Sequence, residues 1–115
     1  MDRQTLGKKG EELAVEYLKK RGFKILETNR HFSRNCEADI IAEEKGVLII
    51  VEVKTRKTNA FGTPQESITR TKYQHLKTAL FTYLQENPKY KKFRIDVLAI
   101  TIEPFKIVHL RNVSF

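Results

Sequence analysis

The chain predicts an α/β domain in which a mixed sheet is flanked by helices, and three observations carry that prediction. Two stretches repeat apolar residues at helical spacing; a pair of short apolar runs, joined by a glycine-containing turn, lies between them; a second pair of runs closes the chain. From about Thr5 to Arg21, the residues Leu6, Leu13, Ala14, Tyr17 and Leu18 mark one helix face, and Gly22 supplies a stop. Lys24–Thr28 reads as a short strand. Asn29–Asn35 is polar and basic and reads as a loop or ragged edge. Cys36–Glu43 and Val47–Lys54 follow as strands, and the unbroken run Val47–Val51 is that of a strand buried on both faces. Thr55–Ser67, with Gly62 and Pro64 and no periodicity, predicts a long loop beside the candidate site. A second helix runs from Ile68 to about Gln85, with Tyr73, Leu76, Ala79, Leu80, Tyr83 and Leu84 on one side, and Asn87-Pro88 ends it. Phe93–Ile102 and Phe105–Leu110 close the chain as a hairpin about Glu103-Pro104.

Composition narrows the class further. With 115 residues, 40% of them hydrophobic, the chain can bury one core, so residues 1–115 read as a single domain. No stretch approaches the roughly 20 apolar residues of a membrane span, and Met1-Asp2-Arg3-Gln4 is too polar to open a signal peptide, so a cytoplasmic location is expected. One cysteine, Cys36, excludes an internal disulfide, and three scattered histidines offer no zinc spacing. Any metal must then be held by oxygen. Lysine and arginine total 22 against 14 acids, a net charge of +8, which favours a polyanionic partner and nucleic acid first. The cations are dispersed along the chain rather than gathered on one helix, which argues against a membrane surface.

The chemistry concentrates in Asp39, Glu52 and Lys54, spaced D-x12-E-V-K. Strand side chains alternate, so Glu52 and Lys54 share a face while Val51 and Val53 point into the core. A two-residue turn at Lys45-Gly46 pairs Glu44 with Val47, and the same register sets Asp39 opposite Glu52, with Cys36, Ala38, Ile40 and Ala42 on the other face. Two acids directly opposed repel unless something positive lies between them, and carboxylates without sulfur or imidazole suit magnesium or manganese. Taken alone, the motif also fits a solvated strand face with a cross-strand ion pair. Glu11 adds weight to the first reading: it projects between Val15 and Leu18 within the apolar stripe, where a lone acid needs a partner, and Gly7 and Gly10 on that side permit close approach.

These residues resemble the YraN-like proteins, which are similar in turn to archaeal Holliday junction resolvases and to the PD-(D/E)xK nuclease superfamily. The resemblance rests on Gly10-Glu11, on Cys36–Ala42, on Val51–Arg56 (Val-Glu-Val-Lys-Thr-Arg), on the Phe61–Pro64 loop, on Lys72 and on Arg94–Val97. Cys36 and Ala38 depart from the family's usual glycine and larger aliphatic. The resemblance implies a restriction-endonuclease-like fold with an acidic site at one sheet edge, and a magnesium- or manganese-dependent endonuclease acting on DNA, branched DNA such as Holliday junctions included. It implies Asp39 and Glu52 as metal ligands together with the main-chain carbonyl of Val53, Glu11 as a supporting acid, and Lys54 beside the attacking water. A homodimer follows by analogy with resolvases, and a DNA-binding module that keeps the fold without cleaving is the alternative. Arg30, Arg34, Arg56, Lys57 and Arg70 are grouped as a phosphate-contacting rim, Gln65 as a substrate hydrogen-bonding residue, and Lys72 as a packed stem or a phosphate contact near a helix N-terminus. Asp96 reads as a structural acid beside Arg94, Cys36 as a small buried side chain, and His31, His75 and His109 as incidental.

Overall fold

Each helix begins at a side-chain cap. The computed structural model describes residues 2–58 and 68–114. Helix α1 spans Arg3–Lys20, and the Asp2 carboxylate accepts from the Thr5 amide at 2.7 Å. Helix α2 spans Arg70–Glu86, and the Thr69 hydroxyl accepts from the Lys72 amide at 3.1 Å. In both, the cap satisfies one of the amides that a first helical turn leaves unpaired. Gly22 ends α1 with φ +89°: its amide bonds Lys19 O and that of Phe23 bonds Leu18 O, while the buried Phe23 joins Leu18 in the core. This paired closure needs a left-handed residue, which glycine supplies without strain.

Five strands form one sheet in the order β1-β2-β3-β4-β5: Lys24–Ser33, Cys36–Glu44, Val47–Arg56, Lys92–Thr101 and Lys106–Leu110. Neighbours are antiparallel except β3 and β4, which are parallel. The predicted α/β class and mixed sheet are borne out. Helix α1 packs Ala14 and Leu18 onto Ile49, Val51, Leu98 and Ile100, whereas α2 packs Leu76, Leu80 and Tyr83 onto Leu48, Ile50 and Ile95. The middle strand β3 is thus covered on both faces, which is why its apolar run lacks alternation. Each such large side chain contributes about 1.5–3 kcal/mol of burial.

Three expectations need correction. The short strand ending at Thr28 instead continues to Ser33, through the segment read as a loop. Its signal was weak because β1 is an edge strand whose polar side chains face water, and because its register shifts twice, between Ile25 and Glu27 and between His31 and Ser33. Thr55 and Arg56, expected in a loop, extend β3 and pair with Ile100 and Thr101. The remainder of that predicted loop, with the Phe61–Pro64 motif and Gln65, falls mostly outside the described residues. The expected common face for Ala38, Ile40 and Ala42 is also wrong: Ile40 and Ala42 pack under α1, and Ala38 packs under α2. Alternation breaks at Asp39, where the β1–β2 ladder passes from Thr28–Ile40 to Arg30–Ala38 without a pair between them, and Asn29 there has φ +52°.

The contact of α1 with β3 is made at Gly10. A methyl built there would lie 1.8 Å from Oγ1, 2.8 Å from Cβ and 2.9 Å from Cγ2 of Thr55, whereas one at Gly7 meets nothing within 4 Å. Gly10→Ala is therefore expected to lose about 1–2 kcal/mol of stability, the overlap outweighing alanine's better helix propensity. Gly7→Ala is expected to gain up to about 1 kcal/mol. Urea melts of the two variants check this, and equal effects would show that α1 is not seated on Thr55.

Candidate active site

The site begins with the β2–β3 hairpin. Lys45 and Gly46 both have positive φ, +51° and +81°, the geometry of a tight two-residue turn whose twist matches that of the strands. The turn pairs Glu44 with Val47, as predicted, and the ladder runs to Ile40–Val51. One step further the strands part at Asp39 and Glu52. The Val53 amide, which a continued ladder would give to Ala38, instead donates to Asp39 Oδ2 at 2.9 Å. Asp39 is thereby tied to β3 one residue beyond Glu52. Asp39 lies in β2 and Glu52 midway along the central strand β3, so the acids sit inside the sheet, where the β2–β3 ladder stops, and not, as expected, at a sheet edge.

Glu52 is only 3% exposed. Its Oε2 lies 3.4 Å from Lys54 Nζ and 3.4 Å from Lys72 Nζ, and its buried Oε1 has no hydrogen-bond partner among the described residues. Burial first, then the charge of Asp39, push the Glu52 carboxyl up to about 7, against the pull of Lys72 and Lys54. Glu11 reaches the same place from α1. Burial also raises its carboxyl, a hydrogen bond with Asn29 opposes that rise, and the charges of Asp39 and Glu37 add to it. Gly7, Glu11, Asp39, Glu52, Val53 and Lys54 line a common cavity of about 500 Å³. A groove of equal volume between α1 and the β4–β5 hairpin, lined by Tyr17, Phe105 and Ile107, holds one acid, Glu16, already paired with Lys20 at 3.0 Å. The first cavity, by contrast, gathers Glu11, Asp39 and Glu52.

The donor set fits a hard divalent cation. Among the described residues no three His, Cys, Asp or Glu side chains cluster tightly enough to enclose an ion by themselves. The acidic centre is a pair. An unpartnered buried carboxylate oxygen beside a second carboxylate is nonetheless a feature that a magnesium or manganese ion would satisfy, and such ions keep water in their remaining positions.

The cations divide into two groups. Lys72, read as a packed stem or a phosphate contact, places its ammonium against Glu52. Arg56 ends β3 two residues beyond Lys54, with the exposed Lys57 following it, and Arg70 is exposed in the first turn of α2. Arg34 is exposed in the turn after β1. Arg30 is not comparably placed: Glu27 at 3.1 Å and Glu86 at 2.7 Å hold its guanidinium, which also lies over Phe32. Cys36 is buried, as predicted. Two residues escaped the sequence reading. Asn29 supports Glu11 from a loop-like stretch, its one signal being asparagine's tolerance of positive φ. His109, read as incidental, joins Tyr17 to Asp96, and none of the three lines the acidic cavity.

No helix among the described residues is long and apolar enough to cross a membrane. Comparison with known proteins matches residues 10–100 to the uncharacterised protein family UPF0102. A UPF0102 protein of Syntrophomonas wolfei is 43% identical over 95% of this chain and 96% of its own length. Relatives from Flavobacterium psychrophilum (41%; 99% and 97%) and Thermodesulfovibrio yellowstonii (42%; 100% of both) agree. The stretch matched spans Glu11, Asp39, Glu52, Lys54 and Lys72, and the chain belongs to the UPF0102 family, in agreement with its YraN-like resemblance.

Proposed function

We propose that this protein is a divalent-cation-dependent endonuclease that hydrolyses DNA phosphodiester bonds, branched DNA included. The observation that supports this most is the buried Glu52, one oxygen unpartnered and two lysines on the other, beside the half-buried Asp39 in the lining of one cavity. Asp39 and Glu52 would hold Mg2+ or Mn2+, with the Val53 carbonyl assigned by resemblance. Such an ion, when bound, polarises a phosphate and lowers the pKa of bound water. The chain's own groups supply the rest. Asp39 is fixed by the Val53 amide, so it presents its carboxylate without reorganising. Lys54, on the same strand face as Glu52, offsets negative charge developing on the phosphate and orients the attacking water. Glu11, oriented by Asn29, takes a hydrogen bond from that water. Arg34, Arg56, Lys57 and Arg70 draw in the backbone of a polyanion that the net charge of +8 already attracts. A homodimer suits paired cuts across a twofold axis.

The test is incubation with end-labelled duplex, single-stranded, flap and four-way-junction DNA, with Mg2+, Mn2+ or EDTA. Metal-dependent nicks that Asp39→Asn abolishes are expected. Salt-sensitive binding with no cleavage of any substrate would instead identify a non-catalytic DNA-binding protein on this fold.

A further inference from the structure

Lys72 has no place in the strand motif, yet it reaches the acid at that motif's centre. Glu52 Oε2 has two ammonium partners of different origin. Lys54 arises two residues along the same strand, so the pleat sets its position. Lys72 arises from the first turn of α2, just after the Thr69 cap, and crosses to β3 to lie 3.4 Å from Oε2. Its side chain stays 31% exposed, so the lysine is in contact with solvent as well as with Glu52. Two cations on one oxygen, with the second oxygen bare, is an uneven distribution around a carboxylate. It neutralises Glu52 against Asp39 and leaves one face unoccupied.

We infer that Lys72 is a displaceable counter-charge: it holds Glu52 while the acid pair lacks a divalent cation, and moves to a DNA phosphate once that cation is bound. The inference rests on the nuclease reading and adds a coupling between cation and substrate that the acids alone do not provide. A divalent ion at the pair brings two positive charges close to an ammonium already there, so the two compete for Glu52. A phosphate at the cavity mouth gives the released ammonium a new partner. Lys72 is thus a positioning residue whose removal acts with opposite sign on the two ligands, since metal gains what the lysine gave up and DNA loses a contact.

Mn2+ binding is measured by electron paramagnetic resonance, and binding to a labelled four-way junction is measured in Ca2+, which supports binding without turnover. Lys72→Gln is expected to bind Mn2+ about tenfold tighter and the junction about tenfold weaker, with a smaller salt dependence. Lys72→Arg, which retains the charge, is expected to stay near wild type in both, and it guards against a general loss of fold. Equal Mn2+ affinity in wild type and Lys72→Gln overturns the counter-charge and leaves the nuclease reading standing. Weaker Mn2+ binding in a folded Lys72→Gln overturns it too, since the lysine would then be organising the metal site. Absence of Mn2+ binding in every form brings down the metal reading, and this inference with it.

Discussion

Glu52→Gln is expected to abolish DNA cleavage and, in EDTA at pH 8, to make the protein more stable than wild type. The two effects share a cause. Glu52 is almost fully buried with one oxygen unpartnered, and burial together with Asp39 raises its carboxyl to about 7 from an ordinary 4.5. Between those values the folded chain holds a proton that the unfolded chain has released, so wild-type stability falls as pH rises through the window. The full cost above pH 7 is at most roughly 3 kcal/mol, and glutamine removes the charge that causes it. Lys54 and Lys72 lose a partner in the variant, but both are about a third exposed and water takes its place. A net gain of ~1–3 kcal/mol at pH 8, vanishing near pH 4.5, is therefore expected from urea melts at the two pH values. Cleavage with Mg2+ or Mn2+ should fall by roughly 10³-fold or more, because the variant can no longer hold the ion as an anion. A variant less stable than wild type at pH 8 would show Glu52 to be a structural ion-pair acid, and the site would need another explanation.

What the sequence disclosed, and what it hid, follows from where each signal resides. Local periodicity carried both helices, the hairpin register and the buried middle strand, since apolar spacing and the Lys45-Gly46 turn are set by neighbours in the chain. The same register brought Asp39 and Glu52 together before any coordinates. The second half of β1 was missed because an edge strand tolerates polar residues, and its positive-φ Asn29 has the composition of a turn. The face switch at Ala38 was equally hidden. A break in alternation depends on the partner strand, which no single-strand pattern reports. The Lys72 contact with Glu52 is not legible in the sequence, because the reach depends on where α2 docks, a tertiary fact. The role of His109 was missed for the same reason: its partners lie 13 and 92 residues away.

Asp96→Asn is the substitution expected to cost the most stability while leaving the cleavage site untouched. Asp96 is fully buried on β4 and accepts from four groups: Arg94 Nε at 2.9 Å, Arg94 Nη2 at 3.3 Å, His109 Nε2 at 2.8 Å and the Asn112 amide at 2.9 Å. Arg94 also bonds Glu44, which receives Arg111 as well, so the cluster ties β2, β4 and the segment after β5 together. The neutral histidine tautomer that satisfies both of its contacts donates from Nε2 to Asp96 and accepts at Nδ1 from the Tyr17 hydroxyl. Burial alone would raise the Asp96 carboxyl, but the bonds from His109, Arg94 and Asn112 outweigh it and hold it below its ordinary 3.8. Asparagine keeps the shape, yet it turns one acceptor into an NH2 aimed at donors and leaves the Arg94 guanidinium without its buried anion. The expected loss is ~3–5 kcal/mol, a large fraction of the 5–15 kcal/mol typical of a domain. The sign with pH follows from the depressed carboxyl: Asp96 stabilises the fold above pH 3.8, and that contribution is lost as pH falls through the lower folded value. Wild type should therefore lose stability steeply below about pH 4, whereas Asp96→Asn starts lower and shows a shallower acid limb. Mn2+ affinity at 10 °C, where the variant remains folded, should match wild type, because none of these residues lines the acidic cavity. A variant of wild-type stability that no longer binds Mn2+ would reverse the assignment, making Asp96 part of the site and the buried network something other than the brace between β4 and its neighbours.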